Sequence, residues 1–323
     1  MFWLFKAGRR LRELGILGMN RRNAACILDH NPRAKYPLVD DKKRLDDLCR
    51  DIGVRSPLLY GVVHTHSQLR HLPRLLTGHR DFVIKPNQGS AGRGILVVTG
   101  RQGASFVRHN GQVLSADEMR QHCSDILSGM YSLGGRPDQA LIQQRVRLHP
   151  AFEAIAFQGI PDVRVVLYRN EPAMAMLRLP TSESGGRANL HQGGIGAGVE
   201  LDTGRTHHAV QRNRMVRRHP DTGSELVGWQ VPHWDEVLAM SRKVAAAVGL
   251  GYIGVDIVID RFDGPLLLEA NARPGLAIQI ANSQGLLPRL KAIDDWLASP
   301  GERVPLGWLR KAERTLPPPR LAA

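Results

Sequence analysis

Residues 82–94 read FVIKPNQGSAGRG, and the run that follows, 95–99, reads ILVVT. A β-forming run ends on Lys85. Gly89, Gly92 and Gly94 then crowd into six residues, and a second β-forming run begins. Glycines let backbone N–H groups converge on an anion without interference from a Cβ, and a lysine adds a point charge beside them. In the Walker A loop the lysine follows the glycines and opens a helix; here it precedes them. The blander reading is a flexible hairpin carrying a stray lysine, but only 8 of the 323 residues are lysine. A phosphate-binding hairpin is the expectation.

Far downstream, GVDIVID (254–260) and LLLEANARPG (266–275) read as two adjacent strands. Glu269 and Asn271 are two apart and so leave one face of their strand, and Asp256 on a paired strand can reach that face. Two carboxylates and an amide oxygen make a hard-oxygen set suited to Mg²⁺ shared with phosphates. The alternative, that the acids belong to turns and Asn271 is a cap, leaves the carboxylate inside an apolar strand uncompensated. Between these motifs Asp162 and Arg164 share a strand face. The stretch from Ser184 to Gly194, rich in glycine, reads as a mobile polar loop carrying Arg187, Asn189 and His191.

Working outward, 40–53 (DDKKRLDDLCRDIG) reads as a helix with acids at its start and glycine at its end, and 234–248 as a second helix. Short strands are expected over 58–63, 81–85, 95–99, 140–146, 162–168, 173–179, 254–259 and 265–269, several at hairpin spacing. This pattern gives an α+β class with largely antiparallel sheets rather than a regular βαβ repeat. Residues 1–40 are basic and irregular, opening on a short apolar and basic stretch that could lie on a membrane surface or a partner but is expected to pack on its own domain.

Composition narrows the class. With 42% hydrophobic and 23% charged residues the chain is globular. The three cysteines are scattered, which excludes a disulfide framework or zinc ribbon and suggests a reducing cytoplasm. No apolar run reaches the ~18–20 residues of a membrane span. The net charge of +14, from 36 Arg and 8 Lys against 30 acids, permits nucleic acid, an anionic surface or an acidic polypeptide. The basic run 203–220 supports a nucleic-acid or scaffold reading, but it lacks stacking aromatics.

A lysine before a glycine-rich hairpin, followed by D…E-x-N-x-x-P-G, resembles the ATP-grasp superfamily, in particular ribosomal-protein glutamate ligases of the RimK type and the alpha-L-glutamate ligase-like proteins. The resemblance covers about residues 41–290. It implies two α/β subdomains clasping ATP, a small one over about 57–140 and a large one over about 141–290. These lie between a short basic segment (1–40), in place of the full α/β domain usual there, and a C-terminal helix and tail (291–323). It implies that Lys85 and Lys42 contact the phosphates, with Lys43 open as the alternative to Lys42, and that Gly89, Ser90, Gly92 and Gly94 form the covering loop. Gln144, Arg145 and Val146 match the adenine-reading hinge, with glutamine in place of the usual acid. Asp162 falls beside the ribose and Asn189 beside nucleotide and substrate. Arg164, Arg187 and Arg273 become the catalytic arginines, Asp256, Glu269 and Asn271 the ligands of two Mg²⁺ ions (or Mn²⁺), and His191 a possible substrate contact.

The function so implied is ATP-dependent carboxylate–amine ligation, adding glutamate or another amino acid to a peptide or protein, with a partner protein as a candidate to supply the acceptor site. The alternatives are a ligase for small amino-acid or peptidic molecules and a basic scaffold with a regulatory nucleotide site.

Overall fold

A computed structural model describes residues 2–89 and 92–299; Ser90 and the expected tail from Pro300 onward lie outside them. The alternating apolar runs build two antiparallel sheets. The first contains β1 (Leu59–Val63), β2 (Phe82–Pro86), β3 (Leu96–Gln102), β4 (Ser105–Arg108), β5 (Val113–Leu114) and β6 (Ala140–Gln143), in the order β1-β6-β2-β3-β4-β5. The second contains β7 (Asp162–Tyr168), β8 (Glu171–Leu179), β9 (Ile195–Val199), β10 (Thr206–Gln211), β11 (Arg214–Met215), β12 (Tyr252–Asp260) and β13 (Gly264–Asn271), in the order β11-β10-β9-β8-β7-β12-β13. Helices cover the sheets, so the class is α+β.

In the first sheet, Phe82, Ile84, Leu96, Val98, Phe106 and Ile142 pack against Met119, Cys123 and Ile126 of the helix Ala116–Leu127. That helix opens on a capping box in which Ser115 and Glu118 satisfy each other's backbone N–H groups. In the second sheet, alternation divides each strand between two faces. Val163, Val165, Leu177, Val255 and Ile257 meet the helix Trp234–Val248 in the larger core. The opposite face is apolar at one end, through Val166, Tyr168, Met174, Met176 and Tyr252. At its other end the same face carries Asp162, Arg164, Arg178 and Asp256.

Residues 2–40 are largely helical rather than irregular: Phe2–Glu13 is a helix, and short segments follow at Met19–Arg21, Arg22–Leu28, Arg33–Lys35 and Pro37–Asp40. From Gly15 onward this segment is tied to the second sheet and the C-terminal helices. Asn31 donates to the carbonyls of Tyr252 (2.7 Å) and Ala272 (3.0 Å) and accepts from the Tyr252 N–H. Leu17 exchanges two hydrogen bonds with the Gln279 amide. These long-range partners escape a periodicity argument because each local segment is too short to show a repeat. No helix among the described residues is long and apolar enough to cross a membrane.

The stretch 184–194 is a packed turn rather than a mobile loop. Thr181 and Gln211 both donate to the Gly193 carbonyl at 2.9 Å, and Gly194 is buried. Its glycines serve close approach: a Cβ on Gly159 would stand 2.0 Å from the Gly186 carbonyl oxygen, and one on Gly186, at φ +75°, 2.5 Å from that of Gln158. Gly159→Ala should therefore force these two backbones apart and lower stability by about 1–3 kcal/mol, read as a lower midpoint in chemical denaturation; an unchanged midpoint would refute this packing account.

Candidate functional site

The glycine-rich hairpin is held at its base and crossed by a lysine. Gln88 N–H donates to both carboxylate oxygens of Asp138 (3.1 and 2.9 Å), which also accepts from Ser132 at 2.5 Å. At the far end Gly94, at φ +73°, fits where a Cβ would lie 2.5 Å from Tyr131, and its carbonyl meets His122 Nε2 at 3.0 Å. Lys42 sits at the start of the helix Lys42–Asp51, capped by Asp41, and donates its Nζ to the carbonyls of Asn87 (3.1 Å) and Gly89 (2.8 Å). Lys43 instead pairs with Asp47 at 2.5 Å. Of the two candidates, Lys42 reaches the hairpin. Asn87 accepts from the Lys43 N–H, while its own buried Nδ2 finds no partner among the described residues.

Lys85 is 7% exposed and lies among Lys42, Asp46 and Glu269. A narrow cavity joins Lys42, Asp46, Ser56, Lys85 and Gln143 on the hairpin side to Leu267 and Leu268 on the other. The two sheets therefore meet here. Burial, reinforced by the Lys42 charge, lowers the Lys85 ammonium to about 8 from 10.5, with Glu269 and Asp46 pulling the other way.

Across the gap, four neighbouring strands contribute one charged face. Arg178 stands on β8, Asp162 and Arg164 on β7, Asp256 on β12, and Glu269 and Asn271 on β13. Register pairs Asp162 with Arg178, Arg164 with Asp256, and Asp256 with Glu269. A one-residue register shift just after Asp256 pairs Ile257 with Leu267, leaving Leu268 as the extra residue of a bulge. Such bulges re-aim side chains beside functional sites.

Asp256, fully buried, accepts from Arg164 Nε at 2.6 Å and Nη2 at 2.5 Å, and from Arg178 Nη2 at 2.7 Å. Arg178 Nε also meets Asp162 at 2.5 Å. Burial works to raise both carboxyls. At Asp162 it prevails, to about 7 despite Arg178; at Asp256 the guanidiniums, Arg164 first, override it and hold the group low. Arg178 carries no motif and escaped the sequence reading, although its two-residue spacing from Met176, on the face of Arg164, was a usable signal.

Asn271 Nδ2 lies 3.1 Å from Glu269 Oε1 and 3.5 Å from Asp256 Oδ2. Among the described residues no three of His, Cys, Asp or Glu converge to hold a metal by themselves. A cation here would need the oxygens of Glu269 and Asn271, a share of Asp256, and ligand oxygens. That donor set fits Mg²⁺, which is usually held by one or two carboxylates plus substrate phosphates.

The remaining expected residues are more dispersed. Gln144 accepts from the Leu58 N–H and donates to Asp263 at 2.7 Å, so its side chain links the two sheets. Arg145 pairs with Asp81 at 2.9 Å, and Val146 is half-buried beside it. Arg187, exposed, comes to the hairpin: a Cβ on Gly92 would lie 3.6 Å from its Cδ. Asn189 accepts from the His191 N–H to cap the turn 190–192, and His191 is exposed. The Arg273 guanidinium rests on the Tyr36 ring, 4.7 Å from its centroid.

Because Lys85 binds its proton less tightly folded than unfolded, the folded chain holds fewer protons between pH of about 8 and 10.5. The cost of burying the charge is fully present below pH 8 and fades as pH rises through that window. The stability of the unsubstituted chain relative to Lys85→Met should accordingly rise from pH 7.5 to pH 10 in denaturant titrations; a constant difference would exclude the shift.

No curated protein matches the chain in sequence. Among solved structures, the ATP-grasp ligase PsnB complexed with a minimal precursor matches at 16% identity and a TM-score of 0.44, over 82% of this chain and 63% of that one. A RimK domain ATP-grasp protein from Sphaerobacter thermophilus matches at 14% identity and 0.45, over 81% and 70%. The L-amino acid ligase from Bacillus licheniformis matches at 11% identity and 0.44, over 77% and 44%. The chain spans about three-fifths of the length of the PsnB chains. The family described as sugar-transfer associated ATP-grasp matches residues 21–295. That match takes in both sheets, the glycine hairpin and the charged face opposite it, and the chain belongs to the sugar-transfer associated ATP-grasp family.

Proposed function

We propose that the chain is an ATP-dependent carboxylate–amine ligase. The observation that carries this reading is that Lys42, Lys85 and a glycine hairpin gather at a narrow gap, with Glu269 near enough to act on the Lys85 charge and Arg164, Asp256 and Asn271 clustered with Glu269. Lys42 and Lys85 meet the ATP phosphates from the hairpin side and Arg164 from the sheet side, while Arg187 closes over them from its place beside Gly92. Backbone groups of 144–146 read adenine, since the Gln144 side chain is committed to Leu58 and Asp263. Mg²⁺, when bound by Glu269, Asn271 and Asp256, supplies charge neutralisation at the phosphates. Arg273 reaches the γ-phosphate by leaving the Tyr36 ring.

The γ-phosphoryl group passes to a substrate carboxylate, giving an acyl phosphate and ADP. An amine then attacks the acyl carbon, forming the amide and releasing phosphate. Positioning and charge stabilisation dominate such transfers, so no nucleophilic triad is required. The substrates proposed are glutamate or another amino acid and a peptide or protein tail, with His191 facing the substrate; the net charge of +14 favours an acidic acceptor. The family's association with sugar transfer favours a second reading, in which one partner is a carbohydrate carrying an amine or carboxyl group.

Purified chain with Mg·ATP and separate pools of amino acids, acidic peptides, amino sugars and uronic acids should release ADP and phosphate with one pair of substrates, and mass analysis names the product. AMP and pyrophosphate would overturn the acyl-phosphate route. Glu269→Gln should lower kcat by about 100-fold or more without unfolding the chain, because Glu269 is 36% exposed. Near-normal turnover would remove it from the site. Asp256→Asn is the poorer test, since it also strips two buried guanidiniums of a counter-charge.

A further inference from the structure

Asp162 matches a position expected beside the ribose, yet its surroundings describe another task. It is 6% exposed, and its Oδ1 accepts from Arg178 Nε at 2.5 Å. The same guanidinium continues through Nη2 to Asp256 Oδ2 at 2.7 Å. Arg178 is 13% exposed along its side chain, so it is held between two carboxylates of its own sheet. Asp256 Oδ2 also accepts from Arg164 Nη2, and Oδ1 from Arg164 Nε. Arg164 alone grips the carboxylate along one edge. Arg178, reaching past β7 from β8, adds a second donor on Oδ2 and braces the carboxylate that Arg164 holds at both oxygens.

Both residues come from paired strand positions, Asp162 opposite Arg178, so backbone register delivers the link without a loop. Glu269 and Asn271, the other donors of the proposed cation site, gather around Asp256, and Arg164 Nη2 lies 4.0 Å from Glu269. Supporting groups of this kind orient the oxygens that meet a cation.

We infer that Asp162 and Arg178 are a positioning pair for the Asp256 carboxylate, with Arg178 acting through Asp256 and Asp162 acting through Arg178 rather than on the nucleotide. This inference rests on the ligase reading only for its kinetic consequence. Arg178→Gln strands the buried Asp162 carboxylate and should lower the Tm of the nucleotide-free chain by more than about 5 °C. Adding Asp162→Asn should return part of that loss, because the pair is then removed together. Asp162→Asn alone should lower kcat about 10-fold or more, with KM for ATP within about twofold. The ratio of affinities for ADP and 2′-deoxy-ADP, by calorimetry, should match that of the unsubstituted chain.

A changed ADP to 2′-deoxy-ADP ratio in Asp162→Asn would mean ribose contact and overturn the inference. A double variant no more stable than Arg178→Gln would show that the two residues do not act together. Unchanged kcat alongside a lowered Tm would leave a merely structural pair. If Arg178→Gln does not fold, a double variant that also fails to fold overturns the pairing, and one that folds supports it. Absence of turnover in the unsubstituted chain would overturn the ligase reading alone, since the melting and binding comparisons need no catalysis.

Discussion

The charge on Asp256 governs the architecture around it. A carboxylate with no solvent exposure, on a strand whose other residues are all buried, is tolerable only if strong donors meet it. Arg164 meets it from β7, the strand paired with β12, and Arg178 from β8, the next strand over. Those arginines are long and polar, so the face that holds them cannot also be an apolar core. The sheet therefore divides along its length: one end of the face packs the N-terminal segment and C-terminal helices, and the other end stays charged and turns toward the glycine hairpin. Fold and site are two halves of one strand pattern.

The hairpin side shows a complementary logic. Its lysines are placed by backbone: Lys42 by a capped helix start, Lys85 by the end of β2. The glycines that follow Lys85 are fastened at both ends, by Asp138 at one and by Tyr131 and His122 at the other. A loop held so can present N–H groups without its base wandering. Arg187 approaches from the turn between β8 and β9, one residue after the closely packed Gly186.

How much of this was legible in the sequence depends on the range of the interaction that made it. Strands β2, β3, β7, β8, β12 and β13, together with the helices 42–51 and 234–248, follow from local alternation and capping. The same alternation placed Asp256, Glu269 and Asn271 on one face. What escaped were contacts whose partners lie far along the chain or carry no motif. Arg178 reads as an ordinary polar residue near the end of an apolar strand. The bulge at Leu268 is a shift of register that no single strand reveals. Residues 15–40 read as irregular because their order comes from Asn31 and Leu17 bonding to residues more than two hundred positions away. The turn 184–194 looked mobile because glycine content alone does not distinguish freedom from close packing.

The partners of Asp256 carry a consequence for how the chain reaches this structure. Arg164 precedes it by 92 residues and Arg178 by 78. Until β7 and β8 are in place, β12 cannot be buried without stranding a carboxylate, so the central strand of the site has reason to stay solvated while its neighbours assemble. Contacts spanning such separations slow folding, since loop closure must come before any pairing is gained. The charged end of the sheet thereby ties the burial of β12 to the placement of β7 and β8, so the three strands depend on one another for stability.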